Sequence, residues 1–147
     1  MIILKKITEE NREEAEKLQV EDFQKGYIES IKECLQEADL LENWNPVGIY
    51  DNNIMIGFAM YGNITESKYT RLWFDRLLID KKYQNKGYGK KSFEIVLERI
   101  KREYKNLDIY LSVYEENKIA INIYKYFGFE FTGELDTKGE KIMKYIK

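Results

Sequence analysis

The stretch that decides the fold runs from Leu77 to Lys91 and reads LLIDKKYQNKGYGKK. Apolar residues typical of a strand lead into a loop with two glycines, and the loop opens a helix predicted from about Gly87 to Tyr104. The first turn of a helix offers unpaired N–H groups and a partial positive charge, which together bind phosphate. Gly87 and Gly89 lack a Cβ, so a pyrophosphate can approach the backbone closely.

Two well-known phosphate loops do not fit this stretch, because it contains neither GxxxxGK[ST] nor GxGxxG. Positive charge around the turn comes from five lysines, Lys81, Lys82, Lys86, Lys90 and Lys91. An ordinary surface loop would also explain these residues, since short motifs occur by chance. The glycines alone therefore do not decide between a phosphate site and a plain connection.

A second informative segment, Asn117 to Phe129, reads NKIAINIYKYFGF and contains N-x-x-A-x-x-x-Y. Asn117 is well placed as the N-cap of a helix, a role that is compatible with ligand binding. Tyr124 lies at helical spacing from Ile121, so periodicity alone favours a core aromatic.

The chain contains Q-x-x-G-x-G, then a helix, a strand and N-x-x-A-x-x-x-Y, in that order. With this order the sequence resembles the GCN5-related N-acetyltransferase (GNAT) family over nearly the whole chain. This resemblance implies acetyl-CoA as the acetyl donor and an amine as the acceptor. It also implies an α/β (α+β) fold with a mixed, mostly antiparallel central sheet, helices on both faces, and a single domain over residues 1–147. No metal is implied.

The resemblance assigns roles to individual residues. The backbone of Leu77 and Ile79 would bind the pantetheine arm, to which Asn117 would also hydrogen-bond. Tyr124 would protonate the departing CoA thiolate. The resemblance therefore favours this role over the core aromatic that helical spacing alone suggests. The pyrophosphate would be held by the loop residues Gln84, Asn85, Lys86, Gly87, Tyr88, Gly89 and Lys90.

Several further segments resemble the bacterial spermine/spermidine acetyltransferases of the GNAT family and imply a polyamine acceptor. A polyamine carries several ammonium groups, so its site should supply carboxylates and aromatic faces. The candidate acceptor-binding residues are Tyr27, Glu29, Trp73 and Asp75. The segments that carry this similarity are YIES (27–30), VGIY (47–50), GFAMYG (57–62), WFDR (73–76) and GELD (133–136).

Asp75 lies in the middle of a predicted strand, where strict alternation would place it on one face with Trp73, Leu77 and Ile79. A carboxylate there is costly unless it is paired or functional, so a buried ion pair with an arginine and acceptor binding are equal alternatives. With no histidine in the chain, the general base is expected to be Glu29 or Asp75 acting through water. Glu33 and Glu37 are predicted to lie on a solvated helix face.

Composition narrows the class of protein. One cysteine, Cys34, cannot form an internal disulfide and suits a reducing compartment, so the cytoplasm is expected. No apolar run is long enough for a signal peptide or membrane span. Residues 1–50 carry 12 acidic and 6 basic side chains, and the remainder 14 acidic and 18 basic. With no overall basic excess we expect no nucleic-acid partner, and homodimerisation is compatible with the sequence.

Around these motifs, the spacing of apolar residues and the positions of turn-forming residues predict a mixed sheet with helices on its faces. Other interpretations are a GNAT acting on a protein N-terminus, a ribosomal protein or an aminoglycoside, and a non-catalytic acyl-CoA-binding module. The predicted strands are 2–7, 46–50, 54–61, 70–79, 107–113, 129–131 and 141–146, and the other helices run from Thr8 to about Gln19, from Ser30 onward, and over 118–127.

Overall fold

A computed structural model describes residues 1–19 and 30–146 of the chain. Two helices follow the first strand, three strands come next, and a short 3-10 turn at Lys81–Tyr83 precedes the third helix. The elements are β1 (Ile2–Lys6), α1 (Arg12–Glu16), α2 (Ile31–Leu40), β2 (Trp44–Asp51), β3 (Ile54–Glu66), β4 (Tyr69–Ile79), α3 (Tyr88–Glu103), β5 (Ile109–Val113), α4 (Lys118–Tyr126), β6 (Phe129–Leu135) and β7 (Lys141–Tyr145).

The strands form one sheet in the order β1-β2-β3-β4-β5-β7-β6. Each neighbouring pair is antiparallel except β4 and β5, which run parallel. The β2–β3 hairpin turns through Asn52 and Asn53, whose φ angles of 51° and 70° suit asparagine. The predicted mixed, mostly antiparallel sheet is thus confirmed.

Apolar residues pack on both faces of the sheet. On one face, α3 contributes Phe93, Val96, Leu97 and Ile100. On the other face, residues of α1 and α2 such as Cys34 pack against β2 and β3. Helices therefore cover both faces, as predicted, and none within the described ranges is long and apolar enough to cross a membrane.

The two N-terminal helices differ in how well their starts were predicted. Ser30 caps α2 through a reciprocal capping box with Glu33, as its S-x-x-E spacing predicts. The prediction that Thr8 caps a helix reaching Gln19 is wrong, because Asn11 is the N-cap of α1. The Thr8 carbonyl instead accepts the N–H of Asn11 in a preceding turn, which delays the helix.

Strand β4 contains a β-bulge at Asp75. Met60 of β3 is opposite Arg76, whereas Tyr61 is opposite Phe74, so Asp75 is the extra residue. The strict alternation predicted for this strand is therefore wrong: Trp73 packs on the α2 face, while Leu77 and Ile79 pack on the α3 face.

Candidate active site

The candidate site is a cavity of about 530 Å³ between β4 and β5. These parallel strands pair only at Leu72 with Ile109 and at Trp73 with Tyr110, and beyond that point they separate. Residues 75–79 line one wall of the opening and residues 112–114 the other, with α3 and α4 closing one side. The parallel pairing thus opens a cleft through the sheet.

The bulge determines which backbone groups of β4 face this cleft. The Asp80 N–H donates to the Ile56 carbonyl of β3 over 2.8 Å, so by alternation Leu77 and Ile79 direct their backbone groups the other way. Before the bulge it is the Leu72 N–H that faces β5, donating to Asp108. The extra residue therefore aims the backbone of Leu77 and Ile79 into the cleft, in keeping with their predicted role.

At one end of the cavity lies the glycine-containing loop. Gly87 is the N-cap of α3 and has a left-handed φ of 85°. Because glycine has no side chain, no side-chain hydrogen bond caps the start of this helix. Among the described residues, no hydrogen bond engages the N–H of Tyr88, Gly89 or Lys90. A Cβ placed on Gly87 or Gly89 would meet nothing within 4 Å, so the space in front of these donors is open to a ligand.

Some loop side chains hold the loop in place, and Gln84 and Asn85 also line the cavity. The Gln84 Nε2 donates to the Ile79 carbonyl over 2.8 Å, and the Tyr88 hydroxyl donates to Asp51 over 2.7 Å. Lys90 lines the cavity, and its ammonium lies 3.6 Å from the centre of the Tyr126 ring. Asn85 adopts a φ of 63°, which bends the loop toward the helix. Lys86 is exposed.

Asn117 serves as the N-cap of α4, where its Oδ1 accepts the Ala120 N–H over 3.3 Å. It also lines the cavity. Because the cap uses only the oxygen of the amide, the Nδ2 group retains its donors for a ligand. The cap role and the predicted ligand role are therefore compatible.

The position of Tyr124 is compatible with both of its predicted roles. Its ring packs 5.1 Å from that of Phe93 and 6.4 Å from that of Phe129, and it also lines the cavity. Burial first, and then the nearby Glu140 carboxylate, raise the pKa of Tyr124 to about 12. The phenol is protonated at neutral pH, and no hydrogen bond within the described residues engages its hydroxyl.

Asp75 lies at the other end of the cavity from the glycine loop. Burial, followed by repulsion from Glu37 and Glu140, raises the pKa of Asp75 to about 7. Its carboxylate lies 3.5 Å from the Arg76 guanidinium, and the same guanidinium donates to the Asp75 carbonyl over 2.7 Å. The ion pair and the cavity position considered from the sequence are thus both present.

The other predicted acceptor-binding residues are not brought together with Asp75. Trp73 lies on the opposite side of the bulge, 5.7 Å from the Tyr110 ring, and does not line the cavity. The prediction that it shares a face with Asp75 in the acceptor site is therefore not supported by its position. Tyr27 and Glu29 lie outside the described residues.

Three charged residues near Asp75 were not identified from the sequence as part of a site. Arg76 and Glu140 line the cavity, and Glu37 of α2 is close enough to raise the pKa of Asp75. Glu37 is half-buried rather than fully solvated. A signal for Glu140 was present in the sequence DTKGEK (136–141), a turn that returns an acidic residue to the start of a strand.

Coenzyme A fits these residues. A pyrophosphate needs unpaired N–H donors with open space before them, which the first turn of α3 provides. An extended amide-containing arm needs strand backbone that is not paired with another strand, which Leu77 and the N–H of Ile79 provide. Within the described residues no group of three or more metal-ligating side chains lies together.

Comparisons with known proteins give a consistent family. The sequence model of the acetyltransferase (GNAT) family matches residues 7–129. The spermine/spermidine N(1)-acetyltransferase of Bacillus subtilis strain 168 is 44% identical over 146 residues, which is 97% of this chain and 96% of that protein. A probable spermine N(1)-acetyltransferase of Bacillus subtilis subsp. natto has the same identity and coverage.

Solved structures share the fold. The PaiA N-acetyltransferase of Thermoplasma acidophilum, crystallised with coenzyme A, has a TM-score of 0.70 at 20% identity, covering 100% of this chain and 99% of that one. A spermidine N-acetyltransferase chimera of Vibrio cholerae and human sequences has a TM-score of 0.66 at 20% identity, covering 97% of this chain and 91% of that one.

Proposed function

Because the chain belongs to the acetyltransferase (GNAT) family and is an acetyl-CoA-dependent N-acetyltransferase, we propose that it acetylates a primary amine of a polyamine such as spermidine or spermine. Transfer is direct, in a ternary complex, within one domain over residues 1–147. The observation that carries this proposal is a single cavity with open backbone amides at one end and Tyr124 and Asp75 at the other.

Binding of the donor follows from the shape of the cleft. The N–H groups of Tyr88, Gly89 and Lys90 hold the pyrophosphate, and Lys90 adds a positive charge at the same turn. The backbone of Leu77 and Ile79 pairs with the pantetheine arm as a missing strand would. The Nδ2 of Asn117 donates to that arm from the opposite wall. The thioester is thereby directed to the end of the cavity that holds Tyr124.

Two proton transfers then accompany acetyl transfer. Asp75 or Glu29, acting through water, removes a proton from the acceptor ammonium so that the nitrogen can attack. A carboxylate with a pKa near 7 is well matched to this task at neutral pH. Tyr124 donates its proton to the departing thiolate. The high pKa of Tyr124 keeps that proton in place until a strong base develops beside it.

The acceptor end of the cavity suits a cation. Asp75 lies at the bulge and Glu37 is close enough to raise its pKa, and the two curated relatives described above are named for spermine and spermidine. A polycation gains from several such groups at once. A peptide N-terminus carries only one positive charge at its end, so it would interact less favourably with these carboxylates.

An acceptor panel tests this proposal. Purified protein is given acetyl-CoA and, separately, spermidine, spermine, a peptide with a free N-terminus, and an aminoglycoside, with release of free thiol as the readout. We expect kcat/KM to be highest for the polyamines. Activity on the peptide but not on spermidine would refute the polyamine acceptor, and tight acetyl-CoA binding without turnover of any amine would indicate a binding module.

The remaining parts of the proposal concern where and in what form the enzyme acts. The buried thiol of Cys34 suits a reducing compartment, and the cytoplasm is the location we propose. A homodimer stays a prediction, which light scattering coupled to size exclusion would test. A polyamine site within one chain would remain active at concentrations where the protein is monomeric.

A further inference from the structure

Glu140 lies at the end of the β6–β7 turn, immediately before β7. It is 9% exposed and lines the same cavity as Asp75 and Tyr124. Among the described residues, no lysine or arginine nitrogen lies within 4.0 Å of its carboxylate as an ion pair. A carboxylate buried without a paired cation is costly, so a functional reason for its position is expected.

The local backbone fixes where residue 140 lies. Asp136 accepts the N–H of Glu140 over 2.8 Å and that of Lys138 over 2.9 Å, both on Oδ1. The Asp136 N–H returns a hydrogen bond to the Glu140 carbonyl over 2.9 Å, and Gly139 supplies the positive φ of 84° that closes the turn. The turn therefore holds the backbone of Glu140 beside the cavity that its side chain lines.

Glu140 and Asp136 belong to the same turn, where the Asp136 carboxylate accepts two backbone N–H groups and Glu140 is buried. Two carboxylates near each other repel, which favours a proton or a cation beside them. Burial first and then Asp136 raise the pKa of Glu140, while Arg76 and Lys138 act in the opposite direction. A ligand that brings a positive charge would therefore be favoured beside this pair.

Glu140 is also close to the groups that carry the reaction. Its charge raises the pKa of Tyr124 and that of Asp75, so it lies within electrostatic reach of both ends of the proton transfer. Tyr124 is on α4 and Asp75 on β4, and Glu140 approaches from β7. An acceptor nitrogen placed between Tyr124 and Asp75 would be adjacent to Glu140.

We propose that Glu140 binds the reacting nitrogen of the acceptor, and that the Asp75–Glu140 pair selects acceptors that arrive as cations. This inference rests on the proposed function and adds a residue to it. The acceptor ammonium gives one proton to the general base, while Glu140 stays ionised and accepts a hydrogen bond from a remaining N–H. The new N–C bond then forms as the C–S bond breaks, and Tyr124 gives its proton to the sulfur. The nitrogen loses its second proton through solvent, and a proton from solvent restores the Tyr124 phenol.

The test is the isosteric variant Glu140→Gln, with Glu130→Gln as a matched control. Glu130 is exposed on the same hairpin, opposite Lys144 and away from the cavity. At about pH 8 we expect the KM for spermidine to rise roughly 10- to 100-fold in Glu140→Gln, the usual effect of losing a hydrogen bond to a charged group. Glu130→Gln should leave the KM unchanged, and Glu140→Asp should be intermediate.

Two further readouts separate acceptor binding from a structural role. The KM for acetyl-CoA should stay within about twofold in Glu140→Gln, and turnover of a weakly basic amine that is uncharged at the assay pH should fall far less than turnover of spermidine. Equal losses on charged and uncharged amines, or a parallel rise in the acetyl-CoA KM, would overturn the inference.

The outcome also distinguishes this inference from the proposed function. If the unmodified enzyme acetylates spermidine but Glu140→Gln retains its preference for charged amines, only the role of Glu140 is refuted. If the unmodified enzyme acetylates no amine, the proposed function fails and the role of Glu140 fails with it.

Discussion

Replacing Asp75 with asparagine should make the enzyme more stable and less active. The change is nearly isosteric, and it removes a carboxylate whose side chain is only 23% exposed. Burial, with Glu37 and Glu140 nearby, raises the pKa of Asp75 from 3.8 to about 7. The protein therefore holds this group in a position where its charged form is disfavoured.

The size and sign of the stability effect follow from that shift. Because the folded pKa is raised, the contribution of Asp75 to stability is fully present below about pH 4 and is lost as the pH rises through about 7. Three pKa units correspond to about 4 kcal/mol, an upper bound that the Arg76 contact at 3.5 Å reduces. We expect a net gain of about 1–3 kcal/mol at about pH 8, or roughly 3–10 °C in Tm.

Activity should move in the opposite direction. If Asp75 is the base, kcat falls by about 100-fold or more, and the limb of the pH–rate profile with an apparent pKa near 7 is lost. Thermal unfolding at about pH 4 and about pH 8, together with steady-state kinetics, measures both effects. A variant that is destabilised equally at the two pH values would refute the reasoning, because it would show that the carboxylate stabilises the fold through packing or pairing. Unchanged kcat would leave Glu29 as the base.

Three other variants test the donor side of the site. Tyr124→Phe should lower kcat by about 100-fold with little change in the acetyl-CoA KM, and an unchanged kcat would remove Tyr124 from the acid role. Asn117→Asp keeps a good N-cap, so the Tm should not change. Because it replaces the Nδ2 donor with a negative charge, it should raise the acetyl-CoA KM about 10-fold. An unchanged KM would leave Asn117 with the cap role alone. A Cβ added at Gly89 meets no neighbour within 4 Å, and Gly89→Leu gains up to about 1 kcal/mol of helix propensity, yet it should weaken acetyl-CoA binding about 10-fold or more. Intact binding in calorimetry would place the pyrophosphate elsewhere.

Local signals predicted the donor half of the cavity well. The left-handed φ of Gly87, the start of α3 and the cap at Asn117 all depend on residues close in sequence. Such features are set by backbone conformation and capping, which a short window contains. The positions of these residues in the fold were therefore predictable, whereas their proposed roles need the variants above.

The acceptor half was harder to predict because it depends on contacts between distant elements. One extra residue at position 75 reverses the faces of β4, and an alternating pattern does not show where alternation stops. Trp73 was misplaced for this reason. Glu140 and Glu37 approach Asp75 from β7 and α2, and their burial depends on how the hairpin and helix return to the sheet.

The bulge also constrains how this enzyme can change over evolutionary time. A point substitution at Asp75 alters one side chain, whereas loss of the whole residue would remove the bulge and leave Leu77 and Ile79 in regular alternation with Leu72 and Phe74 on the α3 side. A single in-frame codon deletion there would therefore cost the carboxylate at the bulge while the core packing is kept. Position 75 can thus change by replacement or by deletion, and either change acts on the cavity before it acts on the core.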